Sequence, residues 1–185
     1  MDSIQVTPTT ASKINDVDFK NLGFGTVFSD HMLVCDYADG KWGIPKIIAY
    51  QPISLMPSAK IFHYGQSIFE GMKAYKDANN QTWLFRPEEN FKRFNISAKR
   101  LAIPELPKEV FMEGLKALLK VDEQWIPTQD GSSLYIRPII FATGEGFHAS
   151  PADAYKFIIC TAPSGAYFAG KVKVLIEQNY SRSAN

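Results

Sequence analysis

The chain has 185 residues, enough for one domain with a sizeable core, and its 45% hydrophobic and 21% charged content is an ordinary globular balance. A net charge of +1 makes no case for a nucleic acid or an anionic membrane as partner. No apolar run approaches the length of a membrane span, and the stretch Met1-Asp2-Ser3-Ile4-Gln5-Val6-Thr7-Pro8 lacks the basic and apolar regions of a secretory signal. Cys35 and Cys160 are too few and too isolated for a disulfide framework or a zinc site, so the expectation is a cytoplasmic protein with two reduced thiols and no metal.

Residues 1–20 are polar and read as an extended arm. Leu22 to Phe28 mixes glycines with aromatics, which suits a backbone packed close to something; a tight turn anchored by two phenylalanines is the simpler account. Asp30 to Tyr37 reads as a strand, Ala38-Asp39-Gly40-Lys41 as a hairpin turn and Ile47 to Tyr50 as a returning strand, after which Pro52 and Pro57 make the chain irregular. His31, alone in its strand, is more economically structural than a base or a ligand. The run from His63 to Tyr75 reads as a loop or short helix followed by strand. Lys76 to Asn80 is a polar turn, and Thr82 to Phe85 returns as the second strand of a hairpin.

Pro87, Glu88 and Glu89 suit the electropositive first turn of a helix, in which Phe91, Phe94, Ala98 and Leu101 form one apolar stripe. Arg93 and Arg100 fall on the opposite side. They are either a solvated basic face or, for Arg93, a guanidinium reaching an anion, for which its shape is well suited. A second helix starts at Pro107 with Val110, Phe111, Leu115, Leu118 and Leu119 on its apolar face; Gly114 is a weak spot or a close-packing point. Ser133 to Ala142 is the clearest strand. Leu134, Ile136 and Ile140 share one face, and Tyr135, Arg137, Ile139 and Phe141 the other. A charge among three large apolar groups needs a partner or a task, unless Arg137 snorkels at a sheet edge, where Pro138 would also be tolerated. Gly144 to His148 is a loop and Tyr155 to Ala162 a strand. Pro163 to Gly170 is a glycine-rich aromatic loop, and Lys171 to Glu177 starts a further strand. The two helices arrive together rather than one per strand, which favours an α+β, two-layer fold, with helices on one face of the sheet, over a doubly wound one.

Several of these stretches together resemble one family. Phe69-Glu70-Gly71-Met72-Lys73-Ala74-Tyr75, Leu84-Phe85-Arg86-Pro87 and the helix start Asn90-Phe91-Lys92-Arg93 are similar to the branched-chain amino acid aminotransferases, pyridoxal 5'-phosphate (PLP) enzymes of fold type IV. Phe28-Ser29-Asp30-His31-Met32, Trp125-Ile126-Pro127, Ser133 to Pro138, Pro163 to Phe168 and Arg182 extend the resemblance across nearly the whole chain in matching order. It implies a small N-terminal α+β domain with a mainly antiparallel sheet over residues 1–168. Residues 169–185 would form an interdomain linker and the first strand of a cofactor-binding domain.

By the same resemblance, Arg93 holds the PLP phosphate and Arg182 is a second arginine beside the cofactor. Phe24, Tyr64, Phe69, Tyr135, Arg137 and Tyr167 line the substrate pocket, with Tyr64 offered across a homodimer interface. An aromatic pocket suits Leu, Ile and Val, which gain from desolvation against stiff rings. The implied reaction is ping-pong transfer of their amino group to 2-oxoglutarate, giving 2-oxo acids, through a lysine that forms a Schiff base with PLP. The family pattern places that lysine past Asn185, so no catalytic residue is nominated here, and residues 1–185 alone are expected to be inactive and to bind PLP weakly or not at all. A D-amino-acid aminotransferase or an aminodeoxychorismate lyase of the same fold type, and a non-catalytic dimerisation module, are the alternatives.

Overall fold

The computed structural model describes residues 4–168 and 170–181. Its strands are β1 (Gln5–Val6), β2 (His31–Ala38), β3 (Lys41–Trp42), β4 (Lys46–Ala49), β5 (Ser67–Phe69), β6 (Met72–Lys76), β7 (Thr82–Leu84), β8 (Ser133–Ala142) and β9 (Tyr155–Ser164). Its α-helices are α1 (Lys60–Tyr64), α2 (Pro87–Arg100) and α3 (Lys108–Val121). The strands form one sheet in the order β1-β4-β2-β9-β8-β6-β7, with β3 paired to β2 and β5 to β8. All pairings are antiparallel except that of β1 with β4. The architecture is α+β, a mixed sheet with few helices.

Period-2 patterning sorts the two faces. Leu134, Ile136, Ile140 and Ala142 of β8, with Leu33 of β2 and Phe157 and Ile159 of β9, are buried in the main core. The two long helices supply the other half of that core. Val110, Phe111, Leu115, Leu118 and Leu119 of α3 are all buried, as are Phe94 and Ala98 of α2. Leu101, last of the α2 stripe, stays exposed because the helix ends one residue before it. Gly114 is a close-packing point: a Cβ there would lie 2.9 Å from Leu33 Cδ1, so the missing side chain lets α3 settle onto β2.

The opposite face carries a smaller cluster of Met32, Val34, Phe141 and Ile158, against which Leu55 and Ile61 pack. Ile61 belongs to α1, a five-residue helix too short for its periodicity to be read from sequence. The β2–β3 turn is built as its Asp-Gly pair suggests: Asp39 and Gly40 have φ of 52° and 76°, the left-handed pair of a type I′ hairpin.

The polar N-terminal residues are held along the sheet edge. Thr7 N–H donates to Ile47 O (2.9 Å), Lys13 N–H and Ser12 Oγ–H donate to the Asp30 carboxylate, and Ile4, Ile14, Val17 and Phe19 pack against the core. His31 is structural. Its Nε2 accepts from Thr9 N–H (2.9 Å), so Nδ1 carries the proton and donates to Asp122 Oδ1 (2.6 Å). Burial pushes the Asp122 carboxyl up from its ordinary value, outweighing the hydrogen bonds from His31.

Cys35 lies on the helix side of the sheet and Cys160 on the other, and burial pushes both thiols up to about 11. The alternation at 171–177 predicts a strand, but the stretch forms neither strand nor helix. Val174, Leu175 and Ile176 are more than 80% exposed, because no described strand pairs with them.

Phe111 sits at the centre of the helix-side core, 5.5 Å from the Phe91 ring, 5.6 Å from Phe94 and 6.0 Å from Phe157. Phe111→Ala is expected to cost about 3–5 kcal/mol of folding stability. Urea denaturation of the two proteins checks this, and a loss below about 1 kcal/mol would show that the ring is not a core anchor.

Candidate functional site

The site grows out of one break in a strand. β5 and β6 pair with β8 in a single register, Phe69 opposite Ile139 and Met72 opposite Ile136, which sets Glu70 opposite Pro138 and Gly71 opposite Arg137. Pro138 accepts from Glu70 N–H (2.9 Å) but has no N–H to return. The ladder therefore lapses at Glu70–Gly71 and resumes at Met72. Alternation continues through the gap. Glu70 points to the helix side with Ile68, Met72 and Ala74, and Gly71 falls on the other side with Phe69 and Lys73.

On the helix side, the Glu70 carboxylate is 4% exposed and accepts hydrogen bonds from four donors. Arg93 Nε–H and Asn90 Nδ2–H of α2 reach it, the latter at 2.9 Å; Arg93 Nη2–H is at 2.9 Å and Gly71 N–H at 3.0 Å. Burial pushes this carboxyl up, yet the bonds from Arg93, Asn90 and the Gly71 amide outweigh it and hold the group below its ordinary 4.5. The Arg93 side chain is 68% exposed all the same, because only one edge of the guanidinium faces Glu70. Arg93 also lines a hollow with Phe85, Arg86, Glu89 and Asn90.

On the other side, the space left by Gly71 is filled by Tyr135: a Cβ on Gly71 would lie 2.5 Å from the phenol oxygen. That oxygen accepts from Arg137 Nη2–H (2.8 Å), and the Arg137 guanidinium carbon lies 4.3 Å from the centre of the Phe69 ring. Phe24 packs edge-on against Tyr135 (5.0 Å) and Tyr167 (4.8 Å), and Tyr167 against Phe168 (4.7 Å). The close approach of Gly165 to Leu22 brings these two loops together; a Cβ on Gly165 would meet Leu22 O at 2.5 Å. The result is an open wall of rings around one guanidinium. It can bury an apolar side chain and receive a carboxylate.

The structure thus gathers Phe24, Phe69, Tyr135, Arg137 and Tyr167 into one cluster and sets Arg93 at the strand break beside it. Arg137 does not snorkel at an edge, since β8 is paired on both sides. Among the described residues Tyr64 touches His63 and the Phe147 carbonyl, to which its hydroxyl donates, and makes no contact with the cluster. Arg182 lies outside the described residues. Glu70 and Asn90 were missed as functional candidates. The signal for Glu70 was present: a carboxylate in core-facing alternation with Ile68, Met72 and Ala74 requires a cation or hydrogen-bond donors to meet it. A hollow of about 640 Å³ between β7 and α3 contains none of the predicted site residues.

No protein-family model matches the chain. Branched-chain-amino-acid aminotransferase 2 of Bacillus subtilis (strain 168) is 44% identical over 178 residues, 94% of this chain and 49% of that protein. The branched-chain-amino-acid aminotransferase of Mycolicibacterium smegmatis is 47% identical over 169 residues, covering 89% and 46%. The solved branched-chain amino acid aminotransferase of Escherichia coli superposes with a TM-score of 0.58 at 25% identity, over 75% of this chain and 41% of that one. A branched-chain aminotransferase structure from Thermoproteus uzoniensis gives the same TM-score at 20% identity, a likeness of fold. The fold is accordingly that of the N-terminal domain of the fold type IV aminotransferases. Within that class the sequence relationship is to the branched-chain-amino-acid aminotransferases, and the chain spans about half the length of the curated relatives it matches.

Two outcomes follow from the strand break. Because the folded Glu70 carboxyl titrates below its unfolded value, the stability it contributes is present above pH 4.5 and lost as pH falls through the folded value. Wild type and Glu70→Gln should therefore differ in urea midpoint at pH 7 and converge as pH falls below 4.5; a gap independent of pH would refute the ion pair. Gly71→Ala should cost about 1–3 kcal/mol by driving the added methyl into Tyr135, and a crystal structure with Tyr135 unmoved would contradict the close approach.

Proposed function

We propose that these residues supply the substrate wall and a phosphate contact of a PLP-dependent branched-chain aminotransferase, which transfers the amino group of Leu, Ile or Val to 2-oxoglutarate. One observation carries the reading. A chain 44% identical to such an enzyme over 94% of its length gathers Phe24, Phe69, Tyr135 and Tyr167 around Arg137. The rings exclude water from a branched aliphatic side chain, which favours Leu, Ile and Val over polar amino acids. Arg137, oriented by the Tyr135 hydroxyl and the Phe69 face, is suited to a substrate carboxylate.

The cofactor's phosphate is a hydrogen-bond acceptor, and Arg93 offers it an exposed guanidinium on α2, whose N–H donors match a phosphate dianion. Arg182 belongs to the same reading as a second arginine. PLP, when bound, withdraws electrons from the substrate Cα and so makes its proton labile. The chain's own residues hold the two anionic ends and keep the reacting centre dry. None of the lysines here is assigned the proton transfer, although Lys73 lines the hollow shared with Gly71 and Tyr135. A homodimer in which Tyr64 reaches the partner's site, a cytoplasmic location, and a division into a domain over 1–168 and a linker over 169–185 complete the proposal. No described helix is long and apolar enough to cross a membrane.

Residues 1–185 by themselves should show no borohydride-trappable absorbance near roughly 410–430 nm with PLP and no leucine-dependent formation of glutamate. Turnover by this chain alone would overturn that division of labour. In the complete reading frame that contains these residues, leucine and 2-oxoglutarate should react, and Arg93→Ala should weaken PLP affinity on the order of thirtyfold. Preference for D-alanine or aminodeoxychorismate over leucine would refute the branched-chain reading.

A further inference from the structure

The proposal above uses Arg93 but gives no task to the buried carboxylate it touches. Glu70 sits on a core-facing strand position that an apolar residue would fill at lower cost. Its two oxygens receive Arg93 Nε–H, Arg93 Nη2–H, Asn90 Nδ2–H and Gly71 N–H, so four donors from α2 and from the lapse between β5 and β6 hold it. Asn90 and Arg93 are three residues apart and share a face of α2, which lets one carboxylate hold both. A surface ion pair would leave Arg93 mobile. This one is anchored on a strand, with one partner almost wholly out of water.

We infer that Glu70 is the positioning residue of an oxyanion site at Arg93. It occupies the Nε–H and one Nη2–H of the guanidinium, and thereby turns the Nη1 edge outward to a phosphate-class dianion. A guanidinium has five N–H donors in a rigid plane, so fixing one edge fixes the direction of the other. The Nη1 donors have no hydrogen-bond partner among the described residues, and Arg93 lines a hollow together with Phe85, Arg86, Glu89 and Asn90. Glu70 never touches the anion; it acts through Arg93. It also leaves the pair with little net charge, so the site selects by geometry rather than by attracting every anion. The inference rests on the reading of Arg93 as a phosphate contact. It adds to that reading the residue that aims it.

The test is performed on the complete reading frame that contains these residues, freed of PLP, with arginine side chains labelled with ¹⁵N and inorganic phosphate as the probe. In wild type, the Arg93 Nε–H signal should exchange slowly with water, and the Arg93 guanidinium signals should shift on phosphate addition while those of Arg100 stay put. Glu70→Asp keeps the charge but draws the carboxylate back by one methylene. It should release the Nε–H to fast exchange and weaken the phosphate response about fivefold or more. A wild-type Arg93 that ignores phosphate would remove the anion site itself, and the inference with it. An Arg93 that responds identically in wild type and Glu70→Asp would leave the anion site standing and overturn the positioning role. If Glu70→Asp does not fold, Glu70→Gln is read in the same way for Nε–H exchange. Slow exchange retained in that variant, or fast exchange already present in wild type, overturns the inference.

Discussion

The register of β8 is the constraint on which the rest depends. Ten consecutive residues pair with β9, and the same strand pairs on its other side with β5 and β6. With side chains alternating strictly, this alignment sends Leu134, Ile136 and Ile140 under the helices and Tyr135 and Arg137 to the open face. A slip of one residue would bury a guanidinium in a hydrocarbon core and expose three aliphatic side chains, a change costing far more than any domain of this size can bear. Packing of the core and placement of the site are therefore one decision, taken by the same ten residues.

The lapse at Glu70–Gly71 shows how a small defect in that ladder is put to use. A proline in a doubly paired strand removes one hydrogen bond, and the two residues facing the gap are the ones whose side chains, present or absent, shape both arginine environments. Glu70 reaches through the helix side to Arg93, while the bare Cα of Gly71 admits the Tyr135 phenol that holds Arg137. Adjacent residues on opposite faces of a sheet thus link two cations that have no direct contact among the described residues.

Most of the framework was legible in the sequence because its signals are local. The period-2 run at 133–142, the stripe through Val110, Phe111, Leu115, Leu118 and Leu119, the proline helix starts and the Asp39-Gly40 turn each depend on neighbours a few residues away. What the sequence left open depends on distant partners. Gly114 reads as a weak spot until Leu33, eighty-one residues earlier, is set against it. His31 stays ambiguous until Thr9 and Asp122 close on its two nitrogens. The apolar alternation at 171–177 is a strand only where another strand accepts it. The gathering of Phe24, Phe69, Tyr135, Arg137 and Tyr167 was readable through family resemblance, since residues from four separate segments share no spacing that would reveal it.

The two cysteines have a practical consequence. They sit on opposite sides of the sheet, so they cannot bond to each other while the sheet is intact, and with thiols held near 11 neither is a thiolate at neutral pH. Maleimide or iodoacetamide will meet little reactivity in the native state and ordinary reactivity once β2 and β9 part. Alkylation kinetics at these two positions would then time the opening of β2 from β9, with no residue substituted.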